Sequence, residues 1–121
     1  MSASESAEPV TILLVEDHAQ LRAILIQALT TMGYRVMFAG TGDEALQQLI
    51  DGAAPDLLFS DIRMPGHING VDLVRWVGAH LPACRILLQT GYSHLDPGGH
   101  QVLRKPFTLE ALSAAVQAAL A

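Results

Sequence analysis

The run Leu57-Leu58-Phe59-Ser60-Asp61 ends a short apolar stretch with a carboxylate, and three other apolar runs also end in polar residues. Apolar runs of this length, separated by helical patterns, indicate parallel strands that are buried on both faces. Residues at the carboxyl ends of such strands converge on one edge of the sheet, where α/β proteins place their sites. We therefore expect three carboxylates, one hydroxyl and one ammonium to meet in one cleft, contributed by Glu16 and Asp17 after residues 10–15, Asp61, Thr90 after residues 86–89, and Lys105 before Pro106.

The alternation of apolar patterns predicts one α/β domain at residues 10–121. Helical patterns follow the first, second, third and last strands, which gives a five-stranded parallel sheet with right-handed crossovers. Residues 91–100 contain Pro97 and a pair of glycines, so a stable fourth helix is not expected there and we predict a loop. The strands are predicted at residues 10–15, 34–39, 56–60, 85–89 and 101–104.

Composition and charge exclude several classes of function. The formal net charge is -5 and the basic residues are scattered, so this chain is not expected to bind nucleic acid. No apolar stretch approaches the ~20 residues of a membrane span, so membrane insertion is not expected. The lone Cys84 fits a reducing compartment, and we expect a cytoplasmic protein. Residues 1–9 are polar and acidic, and we interpret them as a disordered lead-in.

The polar residues at the strand ends are suited to phosphoryl transfer. Two carboxylates ~4 Å apart repel each other by about 4 kcal/mol at an effective dielectric of 20, so Glu16, Asp17 and Asp61 together need a cation. Oxygen ligands with open positions suit Mg²⁺, which binds through one or two carboxylates and a phosphate oxygen. Lys105 adds a second positive charge and Thr90 a hydroxyl donor. A carboxylate nucleophile in such a site would form an acyl phosphate.

Each of these residues also has an ordinary structural interpretation. Asp61 could cap a loop, and Glu16 with Asp17 could be acids favoured by the dipole of the first helix. Thr90 is a normal strand residue, and Lys105 by itself is a normal surface residue. Their combination at four strand ends is harder to explain by packing alone. The histidines show no metal-ligand spacing, so zinc is not expected.

The motifs around these residues resemble the receiver domain of two-component response regulators over about residues 10–120. The matching segments are Ile12-Leu13-Leu14-Val15-Glu16-Asp17, Asp61-Ile62-Arg63-Met64-Pro65-Gly66, Gly70-Val71-Asp72-Leu73, Leu88-Gln89-Thr90-Gly91 and Arg104-Lys105-Pro106-Phe107. The resemblance implies a flavodoxin-like, doubly wound sheet of strand order 2-1-3-4-5, a fold for which receivers are a standard example. It also implies Mg²⁺-dependent phosphorylation of Asp61 by a sensor histidine kinase or a histidine phosphotransfer protein.

The resemblance assigns further roles residue by residue. Asp17 and Asp61 would bind Mg²⁺ directly, Glu16 would act through water, and the backbone carbonyl of Arg63 would be a further ligand. Thr90 and Lys105 would hold the phosphoryl oxygens. Gly91 would leave room for these oxygens, and a cis peptide bond between Lys105 and Pro106 would orient the lysine. Arg63 and Tyr92 are expected to flank the phosphoryl group.

The chain departs from the usual receiver pattern in the segment that reports phosphorylation. Val102 stands where receivers usually carry the aromatic residue of a rotamer switch. With the fourth helix short or replaced by a loop, we expect signalling through order and disorder of residues 91–100. We also expect no dimerisation through a fourth-helix face, and hence a monomer or a weak dimer. The downstream output protein cannot be named from these residues.

Two alternatives of other classes remain open. The chain could be a phosphorylation-independent interaction module with the receiver fold, although the intact set of polar residues argues against this. It could also be an aspartyl-phosphate phosphatase that acts on external substrates, but Arg63 stands where the second acid of an Asp-x-Asp motif would be. We therefore expect no enzymatic activity other than catalysis of the chain's own phosphorylation and dephosphorylation.

Overall fold

A computed structural model describes residues 9–91 and 99–121 of the chain. The described part contains one five-stranded parallel sheet, and its strand order β2-β1-β3-β4-β5 confirms the predicted 2-1-3-4-5 arrangement. The strands are β1 (Thr11–Val15), β2 (Arg35–Ala39), β3 (Leu57–Asp61), β4 (Arg85–Thr90) and β5 (Gln101–Arg104).

Helices cover both faces of this sheet. They are α1 (Ala19–Thr31), α2 (Gly42–Ile50), α3 (Gly70–His80) and α4 (Leu109–Leu120). Helix α1 follows β1, α2 follows β2, α3 follows β3, and α4 follows β5, as the helical patterns predict. No helix in residues 9–91 and 99–121 is long and apolar enough to cross a membrane.

The core consists of two apolar layers, one on each side of the sheet. On one side, the buried strand residues lie against α1 and α4, and the layer includes Ile12, Leu14, Phe59, Leu87, Leu25, Leu29, Leu112 and Val116. On the other side, the strands lie against α2 and α3, and the layer includes Leu13, Val15, Leu58, Ala45, Leu49, Leu73 and Val77. Burial on both faces explains why the central strands are apolar at consecutive positions instead of alternating.

The strand ends bring the predicted polar residues to one edge. Asp61 and Thr90 are the last residues of β3 and β4, whereas the sequence pattern placed them just beyond the strands. Asp61 is in register with Gln89 on β4, and Thr90 is in register with Arg104 on β5. Lys105 follows β5 directly, and its backbone N–H donates to the Thr90 carbonyl at 2.8 Å. The edge at the carboxyl ends is therefore fixed by backbone pairing.

The segment between β4 and β5 is described only at its two ends. Gly91 and residues 99–100 form bends and a turn. The absence of a stable fourth helix, the flanking role of Tyr92 and the order–disorder hypothesis all concern residues 92–98, which lie outside the described residues. The interpretation of residues 1–8 as a disordered lead-in lies outside them as well.

Gly70, the first residue of α3, allows this helix to approach the end of β3. A Cβ atom at this position would collide with the backbone carbonyl oxygen of Asp61 and would lie 2.9 Å from the Ile62 Cα. The Gly70 N–H donates to the Ile62 carbonyl at 3.0 Å, which fixes the start of the helix against the strand end. Only glycine fits here without a backbone shift.

We expect Gly70→Ala to destabilise the protein by about 1–3 kcal/mol, because the added methyl group must displace backbone and not a flexible side chain. Gly78→Ala, in the same helix, is the matched control. A Cβ at Gly78 meets no heavy atom within 4 Å, so this change should be neutral or stabilise by up to about 1 kcal/mol. Urea unfolding of both variants measures the difference, and equal stabilities would contradict the steric argument.

Candidate functional site

Glu16 is a fully buried carboxylate at the end of β1, and its neighbours hold it in place. Its Oε2 atom accepts a hydrogen bond from the His18 backbone N–H at 3.0 Å, and its Oε1 atom accepts one from the Lys105 ammonium at 3.1 Å. The Arg22 guanidinium donates to the Glu16 backbone carbonyl at 2.9 Å. Both carboxylate oxygens therefore have partners, which leaves Glu16 poorly placed to ligate a metal directly.

Lys105 lies between two carboxylates from different strands. Its Nζ atom is 2.7 Å from Asp61 Oδ1 and 3.1 Å from Glu16 Oε1. The lysine side chain is 26% exposed, whereas those of Glu16 and Asp61 are 1% and 5% exposed. Because the carboxylates are buried, the ammonium compensates charges that water does not reach. The peptide bond between Lys105 and Pro106 is cis, as the resemblance implies.

The three groups shift one another's protonation. Burial raises the pKa of Asp61 to about 8; Lys105 opposes this shift and the neighbouring Glu16 adds to it. Burial alone would raise the pKa of Glu16, but its contacts with Asp61, the His18 N–H and Lys105 lower it below its usual range. Burial would lower the pKa of Lys105, but Asp61 and Glu16 raise it. Of the two carboxylates, Asp61 is thus the one that takes up a proton more readily.

The carboxylates of Glu16, Asp17 and Asp61 fit a hard divalent cation. One oxygen from each lies within 4.8 Å of the others, and Asp17 is exposed while the other two are buried. Asp61 Oδ2 is buried and has no hydrogen-bond partner within the described part of the chain. A buried carboxylate oxygen without a partner is unfavourable, and a cation would satisfy it. An all-oxygen donor set of this kind suits Mg²⁺.

A small cavity of about 80 Å³ lies beside Asp61. It exceeds the ~30 Å³ that one water occupies in the liquid, so a small polyatomic group fits. The cavity brings together most of the residues selected from the sequence, and it is lined by Asp17, Asp61, Arg63, Gln89, Thr90, Gly91 and Lys105.

Two of the predicted tuning residues have a less direct relation to the cavity. A Cβ at Gly91 would meet no described heavy atom within 4 Å, so this structure gives no steric reason for glycine, and the predicted role of Gly91 stays a prediction. Val102 lies in the middle of β5, in register with Leu88, and is half-buried. Val102 does not line the cavity.

Comparisons with known proteins agree with this architecture. A family model of the response regulator receiver domain matches residues 12–117. The chain is 36% identical over 119 residues to the response regulator MprA of Mycolicibacterium vanbaalenii, covering 93% of this chain and 51% of that protein. It is 32% identical over 117 residues to the DNA-binding transcriptional regulator NtrC of Azospirillum brasilense, covering 91% of this chain and 24% of that protein.

A crystal structure of a response regulator receiver protein from Sinorhizobium medicae is also similar, with a TM-score of 0.84 and 31% identity over 93% of this chain and 95% of that one. The chain belongs to the response regulator receiver family. Receiver domains are signalling modules of two-component systems. This receiver spans 24% of the length of the NtrC relative and 51% of the length of the MprA relative.

Sequence reasoning missed several residues that shape the receiver's site. Gln89 was interpreted as part of an apolar run, but it is fully buried beside Asp61. A polar residue directly after the apolar residues 86–88, within the same strand, was the available signal. His18 and Arg22, which contact Glu16, gave no signal in the sequence. His18 donates from its backbone N–H and Arg22 donates to the Glu16 backbone carbonyl, so neither contact depends on a recognisable pair of side chains.

The raised pKa of Asp61 predicts a pH-dependent stability for the metal-free receiver. Between the unfolded value near 3.8 and the folded value of about 8, the folded chain binds more protons, so stability falls as pH rises. The lowered pKa of Glu16 affects stability only below its ordinary value of 4.5, and the raised pKa of Lys105 only above its ordinary value of 10.5, so both act outside the range from pH 5 to pH 8.5. Asp61→Asn removes the titration, so it should stabilise the chain more at pH 8 than at pH 5.

Thermal unfolding in a chelator, at several values between pH 5 and pH 8.5, measures this effect. Asp51→Asn, at an exposed position outside the site, is the control and should follow the parent. A constant difference in Tm between Asp61→Asn and the parent across this range would contradict the assignment.

Proposed function

We propose that this receiver accepts a phosphoryl group on Asp61 in a Mg²⁺-dependent two-component phosphorelay. The observation that carries the proposal is the environment of the Asp61 carboxylate. Its Oδ1 atom contacts the Lys105 ammonium at 2.7 Å, and its Oδ2 atom is buried beside a cavity without a hydrogen-bond partner among the described residues. One oxygen is thus held, and the other is available to the incoming phosphorus or to a cation.

The carboxylates divide the work of holding Mg²⁺ and accepting the phosphoryl group. Asp17 is exposed and Asp61 Oδ2 has no hydrogen-bond partner among the described residues, so these two would ligate the ion. Glu16, whose oxygens already accept hydrogen bonds, would act through water. The backbone carbonyl of Arg63, which lines the same cavity, would supply a further ligand. When bound, Mg²⁺ neutralises the charge that develops on the transferring phosphoryl oxygens.

Lys105 and Thr90 would hold the remaining phosphoryl oxygens. The Lys105 ammonium already lies against Asp61 Oδ1, so a small displacement brings it to an oxygen of the added group. The Thr90 side chain ends β4 at the cavity wall, where its hydroxyl can donate to a second oxygen. Both donors are positioned before the reaction, which lowers the reorganisation needed in the transition state. Arg63 and Tyr92 would flank the group.

The phosphoryl donor would be a sensor histidine kinase or a histidine phosphotransfer protein. An acyl phosphate is itself an activated species, so its donor must be comparably activated, as a phosphohistidine is. An apolar groove beside the site offers a docking surface for such a partner, because Leu21, Pro106 and Phe107 line it together with Lys105. Nearby, Ile24 and Leu109 are each 58% exposed and line a second groove. Truncating such apolar residues would weaken docking of the partner protein. It would leave phosphorylation by small donors such as acetyl phosphate unchanged.

The remaining proposals concern the cellular setting. The receiver would act in the cytoplasm, without binding nucleic acid itself, as a monomer or a weak dimer. It would pass its signal to an output protein or to an output domain outside these residues. It would catalyse only its own phosphorylation and dephosphorylation.

Acetyl phosphate with Mg²⁺ should add one phosphoryl group to the parent, because a small donor bypasses the kinase. Intact mass spectrometry detects the adduct, which an acyl phosphate should lose in base. Asp61→Asn should give no adduct, since the amide is not a nucleophile. An unmodified parent would contradict the proposal and favour the phosphorylation-independent interaction module.

Asp17→Asn should weaken Mg²⁺ binding by at least about tenfold. Loss of a residue that only orients a metal ligand typically lowers the metal affinity about 10–100-fold, and loss of a direct ligand should cost no less. The protein should remain folded because Asp17 is exposed. Calorimetric titration with Mg²⁺ measures the affinity. Asp51→Asn makes the same change in net charge at the carboxyl end of α2, at the opposite edge of the sheet, and should bind as the parent does. Equal affinities of Asp17→Asn and the parent would remove Asp17 from the metal site.

A further inference from the structure

Gln89 is a buried amide whose side chain makes no hydrogen bond to the described residues. It is 0% exposed, and neither its Nε2 nor its Oε1 atom has a partner within the described part of the chain. Buried amides without partners are unfavourable and rare in folded proteins. An apolar side chain of similar size would pack at this position without that cost. The amide therefore points to a partner that binds here.

The position of Gln89 identifies where that partner binds. Gln89 is in register with Asp61 on the neighbouring parallel strand, so the two side chains leave the same face of the sheet. Gln89 also lines the cavity of about 80 Å³ that Asp61, Thr90 and Lys105 line. Asp61 Oδ2, at the same cavity, is also buried without a hydrogen-bond partner among the described residues. The two unpartnered groups thus belong to one site and are not two separate packing defects.

The chemistry of the two unpartnered groups differs. A carboxylate oxygen only accepts hydrogen bonds or binds a cation, whereas the amide Nε2 offers two donors. The carboxylates of the site suffice for a cation, so the donors of Gln89 suit an anionic oxygen. Because Gln89 is completely buried, it cannot deliver a water molecule from solvent. A holding role fits this burial better than a role in hydrolysis.

We propose that the Nε2–H group of Gln89 donates a hydrogen bond to an oxygen of the phosphoryl group carried by Asp61. This inference rests on the proposed function of Asp61. Gln89 would be the third donor to that group, beside Lys105 and Thr90. It reaches the group from within the sheet, whereas Lys105 is partly exposed. Gln89 therefore contributes to how strongly the receiver retains the phosphoryl group.

Beryllofluoride, which mimics a phosphoryl group on a carboxylate, tests this role in the folded protein. Gln89→Met keeps the length of the side chain and removes the amide, and should weaken beryllofluoride binding in saturating Mg²⁺ about tenfold, as expected for the loss of a hydrogen bond to a charged group. The affinity for Mg²⁺ alone should stay within about twofold of the parent. Calorimetric titration measures both affinities.

Leu87→Met is the matched control. Leu87 lies on the same strand and the same face, is fully buried, and does not line the cavity. This volume-conserving change should leave beryllofluoride binding within about twofold of the parent. Beryllofluoride binding by Gln89→Met that equals that of the parent would overturn the inference while leaving the role of Asp61 intact. No binding by the parent would overturn the proposed function together with the inference.

A second measurement covers a failure of Gln89→Met to fold. In the parent, one side-chain amide proton of Gln89 should shift in ¹H–¹⁵N spectra when beryllofluoride is added in the presence of Mg²⁺. Mg²⁺ alone should change the chemical shift of that proton much less than beryllofluoride with Mg²⁺ does. An unchanged Gln89 amide in the beryllofluoride complex would overturn the inference.

Discussion

The contact of one ammonium with two buried carboxylates is the constraint on which the site depends. Lys105 Nζ lies 2.7 Å from Asp61 and 3.1 Å from Glu16, and both acids are almost completely buried. Removing one partner of a buried ion pair typically costs about 3–5 kcal/mol, because it leaves a charge without compensation. The lysine therefore compensates buried negative charge and also prepares the carboxylate for an anionic ligand. These two roles share the same 2.7 Å contact.

The fold supplies the precision that this contact needs. The three charged residues come from β1, β3 and the end of β5, and parallel pairing sets the position of each strand end. The Lys105 backbone N–H is tied to the Thr90 carbonyl, and Gly70 allows α3 to close against the end of β3. Since backbone hydrogen bonds position these groups, the side chains need little rearrangement to meet a ligand. Among the described residues, this arrangement leaves Asp61 Oδ2 and the Gln89 amide buried without hydrogen-bond partners.

Most of the fold could be predicted from the sequence because its signals are local. The apolar runs and the helical spacing depend on neighbouring residues, and each strand bound differs from its prediction by at most one residue. The polar residues of the site were also visible, because strand ends in a parallel sheet must converge. Gln89 was missed, since an amide at the end of an apolar run looks the same in sequence whether it faces solvent or a cavity.

The sequence by itself determined the alternation of buried parallel strands and helices through hydrophobic period, and it supplied the set of charged residues. The strand order and the family followed from motifs that resemble the receiver domain. Only the tertiary structure decided which atoms of those residues remain available. That both Glu16 oxygens are used, that Asp61 Oδ2 is not, and that Gln89 is buried beside it depend on contacts between residues as far apart as Glu16 and Lys105. Such contacts depend on how strands that are distant in sequence pack together, and no local sequence pattern encodes this packing.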